Sequence, residues 1–349
     1  MTGTGLHGDV RTAEEVLAAS RARVQPALRD AVDTLPASTR HVAGYHFGWW
    51  DRHGRPADGS AGKAIRPALV LLAARATRTG ADEAEPAVAA AAAVELVHNS
   101  SLLHDDVIDD DRTRRHRPTA WSVFGIGDAI MTGDALLVLA AELLSGCDPS
   151  TRPRALRTLG DAVQRLLDGQ CADMALEARP DPDLAACTDM ALGKTGALMG
   201  CACALGCLVA GGEPEQAWRF RRAGERLGLA FQHVDDLLGI WGDPAVTGKP
   251  VHSDLRNRKK SLPVVYALTS GTAAGRELAE LFGRDGQPAP GELARAAELV
   301  ETAGGRAWSH AQAGDLLTAA RRELRSASPL PAAEAELTAL ARLIVRRDH

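Results

Sequence analysis

The chain contains few aromatic residues and few runs of β-branched residues. Phe, Trp and Tyr together make up 4% of its 349 residues, whereas alanine is abundant. Alanine favours helices, while β-branched and aromatic side chains favour strands. No stretch alternates between apolar and polar residues in the manner of a half-buried strand. The composition therefore favours an all-α fold.

The chain also lacks long apolar runs and an excess of basic residues, and the order of its first residues does not predict a signal peptide. No run reaches the roughly 18 apolar residues expected of a membrane span, and residues 1–9 lack the order of a signal peptide. The net charge of −5 gives no support to a nucleic-acid partner. We therefore expect a cytoplasmic protein that binds no nucleic acid, with residues 1–11 disordered.

The six cysteines show neither CxxC pairs nor zinc-type spacing with histidine. Cys201, Cys203 and Cys207 lie in a segment of small residues with helical character, where cysteine behaves as a small apolar residue. We expect them to pack in the core and to have no metal or redox role.

Apolar residues recur at helical intervals through most of the chain. Residues 12–35 are predicted to form a helix ended by Pro36. Further helices are predicted at 87–110, 127–144, 152–177, 184–210, 214–239, 262–268, 290–304 and 307–324. The stretches 51–62 and 242–261 are rich in Gly, Pro and charge and are predicted to be loops, the second of them mobile. Because no linker is evident, we expect residues 1–349 to form a single domain.

Two groups of carboxylates, each followed by basic residues, are the main functional signal. Five aspartates lie within residues 105–111, and the second group contains Asp235 and Asp236. Like charges at this density repel one another unless cations lie among them, and Mg²⁺ prefers carboxylate, water and phosphate oxygens. The basic residues that follow are Arg112, Arg114, Arg115 and Arg117, then Lys249, Arg256, Arg258, Lys259 and Lys260. The pattern predicts a site for a metal-bound diphosphate.

Helical spacing distinguishes the aspartates from one another. Asp105 and Asp109 are four residues apart and share a helix face, so they can hold Mg²⁺ together. Asp106 points about 100° away and is expected to flank the site. Asp235 is the corresponding ligand on the second helix. An acidic helix end is more often a solvated face, but these acids directly follow an apolar run and a second set recurs downstream.

The ordered motifs resemble those of the trans-isoprenyl diphosphate synthases, or polyprenyl synthetases. Asp105-Asp106-Val107-Ile108-Asp109, followed by Arg114-Arg115, is similar to the first aspartate-rich motif of that family. The other similar segments are Gly62-Lys63-Ala64-Ile65-Arg66-Pro67, Glu95-Leu96-Val97-His98, Gly169-Gln170-Cys171-Ala172-Asp173, Gly193-Lys194-Thr195-Gly196, Phe231-Gln232 with Asp235-Asp236, and Gly248-Lys249-Pro250 with Asp254 and Lys259-Lys260-Ser261-Leu262-Pro263. The resemblance spans about residues 60–265.

This resemblance implies an isoprenoid-synthase helical bundle around a central cavity, usually a homodimer, that condenses isopentenyl diphosphate with allylic diphosphates. It implies isopentenyl diphosphate binding by Lys63, Arg66, His98 and Arg115. It implies allylic diphosphate binding by Arg114, Lys194, Thr195, Gln232, Lys249 and Lys259. Asp105, Asp109 and Asp235 would carry Mg²⁺, three ions with substrate bound, and the supporting residues would be Asp106, Gln170, Asp173 and Asp236.

Two positions depart from the family pattern. Gly239 stands where the second motif usually has a third aspartate, and we expect weaker metal affinity there. Asp243, which matches a separate family position, would substitute only in part. His116 stands where the family commonly has glycine after the arginine pair.

Product length in this family is limited by bulk below the first aspartate. Ser101 and Ser100 lie one turn or slightly more below Asp105, about 6 Å deeper, and neither is aromatic. We predict geranylgeranyl diphosphate (C20), with C15 or C25 and longer as rivals; in the alternative, the two serines only pack the helix.

Two other functions are compatible with such a fold. A class I terpene cyclase usually carries an Asn/Asp…Ser/Thr…Glu triad in the second motif and does not need Lys63, Arg66 and His98. A non-catalytic partner subunit would be expected to have an eroded first motif. Neither signature matches this chain, and both remain alternatives to the synthase.

Overall fold

The computed structural model describes residues 10–57, 59, 62–179, 183–244, 250–284 and 286–345, and these are almost entirely helical. The helices are α1 (Ala13–Asp33), α2 (Ala37–His46), α3 (Ile65–Thr77), α4 (Glu85–Ile108), α5 (Ala120–Phe124), α6 (Ile126–Ser145), α7 (Arg152–Ala178), α8 (Leu184–Ala191), α9 (Ala197–Val209), α10 (Pro214–Trp241), α11 (Ser253–Arg256), α12 (Leu262–Thr269), α13 (Ala273–Phe282), α14 (Pro290–Thr302), α15 (Gly305–Ser326) and α16 (Pro331–Val345). A 3₁₀ turn spans Ala81–Glu83, and a short hairpin joins β1 (Thr113–Arg114) to β2 (Arg117–Pro118). The all-α prediction is confirmed.

The predicted helices are present within a few residues of their expected bounds. The segment predicted as one helix at 184–210 is divided, because a π-helical turn, Leu192–Gly196, separates α8 from α9. The predicted loop at 242–261 contains α11, while its residues 245–249 lie outside the described residues. So do residues 1–9 of the N-terminal segment that was expected to be disordered. The helices α2, α5, α13 and α16 were not predicted from the sequence.

The chain divides into two compact units. Unit 1 comprises Met1–Gly160, Cys201–Arg221 and Glu323–Leu340. At its centre, α4 packs along α6 and also contacts α3 and α1. The middle of α4 is built of alanines that are wholly buried, and their small side chains allow close helix packing.

Glu336 anchors the end of the chain within unit 1. Its side chain is wholly buried and accepts hydrogen bonds from Arg11 Nη2 at 2.9 Å and Arg75 Nη1 at 2.7 Å. A buried carboxylate needs such partners because leaving water costs several kcal/mol. Burial alone would raise the pKa of Glu336, but the hydrogen bonds from Arg11 and the charges of Arg11 and Arg75 hold it below its ordinary value. This interaction joins α16 to α3 and to the residue before Thr12, the N-cap of α1.

Unit 2 comprises Asp161–Gly200, Arg222–Arg322 and Ala341–His349. It contains two apolar clusters. One joins the end of α10 to α11, α12, α13 and α14 through side chains that include Leu255, Val264, Leu278 and Val300. The other joins α7, α8, α10 and α12, and its members include Leu176, Met190, Leu229 and Leu262.

One helical stretch, Leu184–Val209, is long and apolar enough to cross a membrane by length and composition alone. Buried residues make up 83% of its most apolar window, as in the core helix of a folded domain. Cys201, Cys203 and Cys207 in this stretch are buried, in agreement with their predicted packing role. Burial raises the pKa of the Cys203 thiol to about 12, so it stays protonated at neutral pH.

The Glu336 interaction predicts that Glu336→Ala lowers the free energy of unfolding by about 3 kcal/mol, because two arginines lose their buried partner. Chemical denaturation at pH 7 measures this loss. The contribution should be present above about pH 5 and fade as the pH falls through the lowered pKa of Glu336.

Glu334→Ala is the matched control on the same helix, since Glu334 pairs with Arg325 near the surface. Such a pair contributes about 1 kcal/mol or less. Equal losses in the two variants would contradict the anchoring role.

Candidate active site

The family-motif residues fall into two sets, one in each unit. The unit 1 cluster is defined as Lys63, Arg66, His98, Asp105, Asp106, Asp109, Arg114 and Arg115. The unit 2 cluster is defined as Gln170, Asp173, Lys194, Thr195, Gln232, Asp235, Asp236 and Lys259. Lys249 lies outside the described residues.

The first aspartates occupy the C-terminal end of α4. Asp109 caps the helix, and its backbone N–H donates to the carbonyl oxygen of Asp105 at 2.8 Å, so the two residues lie one turn apart on one face. Asp105 is half-buried and Asp109 is exposed. Two carboxylates in this relation can bind a metal ion that takes its other ligands from water and phosphate.

Asp106 faces inward, as its offset around the helix predicts. It is 1% exposed, and its Oδ1 accepts a hydrogen bond from Arg114 Nε at 2.6 Å. Burial raises the pKa of Asp106 to about 6, against the opposing effect of the Arg114 charge. Its Oδ2 is buried without a hydrogen-bond partner among the described residues. Asp106 therefore fixes the position of the Arg114 side chain.

The hairpin after α4 sends neighbouring arginines in different directions. Arg114 pairs with Arg117 in the short antiparallel ladder, while Arg115 and His116 form the turn with φ values of 51° and 61°. Two successive residues with positive φ define the type I′ turn, in which glycine is favoured. This explains the family preference for glycine at position 116, a preference that His116 does not satisfy. Arg117 has a structural role, because it donates to the carbonyl oxygen of Tyr45 at 3.3 Å.

The basic residues of the unit 1 cluster lie near a half-buried acid, Glu95. Glu95 lies close enough to Arg66 and Arg115 for their charges to act on its carboxylate, although burial raises its pKa. Burial, with the charges of Arg66 and Arg115, lowers the pKa of His98 well below its ordinary value. His98 is therefore neutral at neutral pH and can donate one N–H without adding charge. The structure thus brings Arg66, His98 and Arg115 together, and Lys63 is exposed just before α3.

Glycines set the geometry of the unit 2 cluster. A Cβ atom on Gly169 of α7 would lie 2.3 Å from the backbone nitrogen of Lys194, and one on Gly193 would lie 2.9 Å from the carbonyl oxygen of Arg165. The backbone of α7 therefore touches the π-helical turn directly. Such turns interrupt α-helices most often at functional sites. This contact fixes the point from which Lys194 and Thr195 extend.

A chain of hydrogen bonds orients the polar side chains of this cluster. Lys194 Nζ pairs with Asp173 Oδ2 at 2.6 Å. Thr195 Oγ1 donates to Gln232 Oε1 at 2.7 Å, and Gln232 Nε2 donates to Asp236 Oδ1 at 2.7 Å. The backbone N–H of Leu262 donates to Asp236 Oδ2 at 2.9 Å. Both oxygens of Asp236 are thereby used within the fold.

Asp236 and Gln170 are buried parts of the cluster, 3% and 7% exposed. Burial raises the pKa of Asp236 to about 7, against the lowering effect of the nearby Lys259 charge. Gln170 Oε1 is buried and has no hydrogen-bond partner in the part of the chain that the structure describes. Asp235, by contrast, is exposed on α10 and can accept a ligand.

The two adjacent lysines have different environments. Burial lowers the pKa of Lys259, but the charges of Asp254, Asp236, Asp235 and Asp173 outweigh this effect and raise it. Lys260 instead donates to the carbonyl oxygen of Leu176 at 2.9 Å, and to two more carbonyls at the end of α7. Lysine at this position satisfies terminal helix carbonyls. Only Lys259 is directed toward the acids.

The space where the second motif usually has its third aspartate is filled by Asp254, a contact that could not be predicted from the sequence. A Cβ atom on Gly239 would lie 2.3 Å from Asp254 Oδ2 and 2.6 Å from its Oδ1. The Asp254 carboxylate therefore fills the space that a side chain at position 239 would take. Asp243 does not take this place by continuing the helix, because α10 ends at Trp241.

These residues are suited to binding Mg²⁺ when substrate phosphates supply the remaining ligands. No group of three or more His, Cys, Asp or Glu side chains forms a ready metal site among the described residues. Mg²⁺ keeps several waters and is usually bound through one or two carboxylates and substrate phosphates. Asp105 with Asp109 provides such a pair in unit 1, and Asp235 with Asp254 provides carboxylates in unit 2.

A family model of the polyprenyl synthetases matches residues 56–300, and the chain belongs to that family. The resemblance inferred from the ordered motifs is thereby confirmed. Members of the family depend on Mg²⁺.

Two curated relatives come from Mycobacterium tuberculosis. A (2E,6E)-farnesyl diphosphate synthase is 48% identical over 301 residues, which cover 85% of this chain and 83% of the relative. A geranylgeranyl diphosphate synthase is 45% identical over 334 residues, which cover 95% and 93%. The crystal structure of a polyprenyl synthetase from Streptomyces coelicolor A3(2) is similar with a TM-score of 0.91 and 45% identity, covering 97% of this chain and 100% of that one.

The position of Asp254 predicts that restoring the usual family acid by Gly239→Asp is harmful. The new side chain would meet the Asp254 carboxylate in a space that holds only one, and the clash and the added like charge should lower the free energy of unfolding by about 2 kcal/mol. Thermal unfolding followed by circular dichroism measures the change.

Two further variants make this result specific. Gly160→Asp is the control, because a Cβ there meets nothing within 4 Å, and it should leave the melting temperature nearly unchanged. Adding Asp254→Gly to Gly239→Asp should recover the lost stability. A single Gly239→Asp variant as stable as the wild type would show that Asp254 does not occupy this space.

Proposed function

We propose that this chain condenses isopentenyl diphosphate head-to-tail with allylic diphosphates and that its main product is geranylgeranyl diphosphate (C20). Membership of the polyprenyl synthetase family makes the chain a trans-prenyl diphosphate synthase. Because the similar relatives include both a farnesyl and a geranylgeranyl synthase, product length has to be argued from the residues of this chain.

The observation that carries the C20 product is the small side chain one turn below the first aspartate. Ser101 precedes Asp105 by four residues, about 6 Å along α4. Its hydroxyl donates to the carbonyl oxygen of His98 at 2.8 Å, so its polar group is satisfied within the helix. Ser100 is buried and equally small. Neither position carries an aromatic ring that would stop the growing chain at C15.

The site residues are proposed to act mainly by binding and orienting two diphosphates. When bound, Mg²⁺ offsets the charge of the allylic diphosphate and stabilises it as the leaving group. Asp105, Asp109 and Asp235 hold the metal, with Asp254 as a further carboxylate. The allylic diphosphate contacts Arg114, Lys194, Thr195, Gln232, Lys249 and Lys259. Asp106, Asp173, Asp236 and Gln170 hold these ligands in position.

The second substrate is proposed to bind through the basic residues around Glu95. Arg66 and Arg115 offer fork-shaped donors for the phosphate oxygens of isopentenyl diphosphate, and Lys63 offers a compact charge. The neutral His98 donates a hydrogen bond. As the C–O bond of the allylic diphosphate breaks, the isopentenyl double bond forms the new C–C bond with the allylic cation, and the departing diphosphate accepts the proton that is lost.

A homodimer and a cytoplasmic location complete the proposal. The exposed face of α6 carries Met131 and Val138, and Ile126 is exposed at the first residue of the helix; a second copy of the chain would cover these apolar side chains. All six cysteines are unpaired, which agrees with a reducing compartment.

Product analysis tests the proposed reaction and its length. Purified protein incubated with Mg²⁺, dimethylallyl diphosphate and labelled isopentenyl diphosphate should give mainly a C20 alcohol after dephosphorylation, measured by chromatography. Ser101→Phe should shorten the product to C15 because the ring adds bulk one turn below Asp105. Ser101→Ala is the matched control and should keep C20, whereas Asp105→Ala should abolish elongation.

The same incubation separates the alternatives. A wild-type product that stops at C15 would contradict the proposed length but keep the synthase. A hydrocarbon formed without consumption of isopentenyl diphosphate would indicate a cyclase. No reaction with any allylic primer would indicate a non-catalytic partner subunit.

A further inference from the structure

The N-terminal helix contributes a side chain to the basic region of unit 1, outside the part of the chain where the family motifs lie. Arg21 of α1 donates from Nη2 to the carbonyl oxygen of Gly62 at 3.1 Å. Gly62 directly precedes Lys63, which is proposed to bind isopentenyl diphosphate. The sequence shows no motif around Arg21 that would indicate this contact.

The Arg115 guanidinium also packs against Gly62. A Cβ atom at Gly62 would lie 2.6 Å from Arg115 Nη2 and 3.2 Å from its Cζ. The backbone at position 62 therefore supports Arg115 on one side and accepts the hydrogen bond from Arg21. A shift of this backbone would move Lys63 and Arg115 together.

The positive charge of Arg21 lies near the other charged groups of this region. It lies close enough to act on the Glu95 carboxylate and on the Arg115 guanidinium. Arg21, Gly62, Glu95, Asn99 and Arg115 line one groove. A guanidinium has five N–H donors, so the bond to Gly62 leaves donors that can face the groove.

The helix that carries Arg21 is firmly held. Its first turn has a capping box, in which Thr12 and Glu15 each accept a hydrogen bond from the backbone of the other. Val24 and Leu28, three and seven residues after Arg21, are buried within unit 1 and also line the groove. The position of Arg21 is therefore set by the packing of α1.

We propose that Arg21 is a positioning residue for isopentenyl diphosphate, which holds the Gly62–Lys63 backbone beneath Arg115 and adds positive charge to that binding region. This inference rests on the proposed function. It specifies the substrate that Arg21 affects, since Arg21 acts through Gly62, Lys63 and Arg115 and none of these is assigned to the allylic diphosphate.

Two measurements on the full chain test the inference. Calorimetric titration with isopentenyl diphosphate alone reports binding without turnover, and steady-state kinetics with each substrate varied in turn reports KM and kcat. Arg21→Ala should raise the Kd and KM for isopentenyl diphosphate about five- to tenfold, the loss expected for one charge-assisted hydrogen bond at a partly solvated site. The kcat and the KM for the allylic diphosphate should change less than twofold.

Two variants serve as controls. Arg21→Lys keeps a charge and a donor and should stay within about threefold of the wild type. Arg23→Ala removes the same charge from the same helix about 200° around its axis and should bind isopentenyl diphosphate like the wild type. Melting curves of all variants establish that they are folded.

The outcomes separate this inference from the proposed function. If the wild type elongates and Arg21→Ala binds isopentenyl diphosphate as tightly as Arg23→Ala, the role of Arg21 is wrong and the synthase stands. Equal increases in KM for both substrates would also overturn it. If the wild type neither binds nor consumes isopentenyl diphosphate, the proposed function fails and the role of Arg21 fails with it.

Discussion

Charged side chains that leave water within a helical protein must find opposite charges or hydrogen-bond partners, and this requirement shapes both clusters. Asp106 holds Arg114, Asp173 holds Lys194, and Asp236 is held by Gln232 and a backbone N–H. These partners fix cations at positions where a diphosphate would need them. The exposed acids, Asp109 and Asp235, belong to the proposed metal ligands.

Close contacts at glycine residues determine where these charged side chains lie. In unit 2 the contact of Gly169 with the π-helical turn fixes Lys194 and Thr195, and Gly239 leaves the room that Asp254 fills. In unit 1 Gly62 lies against Arg115. Glycine serves at these positions because a larger side chain would meet the partner. The charged side chains thus extend from closely packed segments of backbone.

The helices with a regular hydrophobic periodicity were predicted from the sequence. Long amphipathic stretches such as α7 and α10 were predicted closely, because their periodicity extends over many turns. The hairpin at β1 and β2 was missed, since strands of two residues have no periodicity. The helices α2, α5, α13 and α16 were missed as well. Family motifs identified Arg66, His98 and Arg115, and the structure brings these three together.

What the sequence could not predict depends on contacts between distant residues. Fifteen positions separate Gly239 from Asp254, and only folding places the carboxylate in the space above the glycine. The link between Arg21 and Gly62 likewise joins two segments with no shared motif. Asp254 therefore fills the space that the glycine at position 239 leaves.

Under the proposed function, we expect the carboxylates to bind Mg²⁺ together with a diphosphate, because the described residues offer carboxylate pairs and no group of three or more such ligands. Thermal unfolding of the wild type with Mg²⁺ alone, inorganic pyrophosphate alone and both together tests it most directly. We expect almost no shift with Mg²⁺ alone, a smaller shift with pyrophosphate alone, which the basic residues can bind without metal, and a rise of about 4 °C with both at saturating concentration. A full shift with Mg²⁺ alone, or none with the combination, would contradict it.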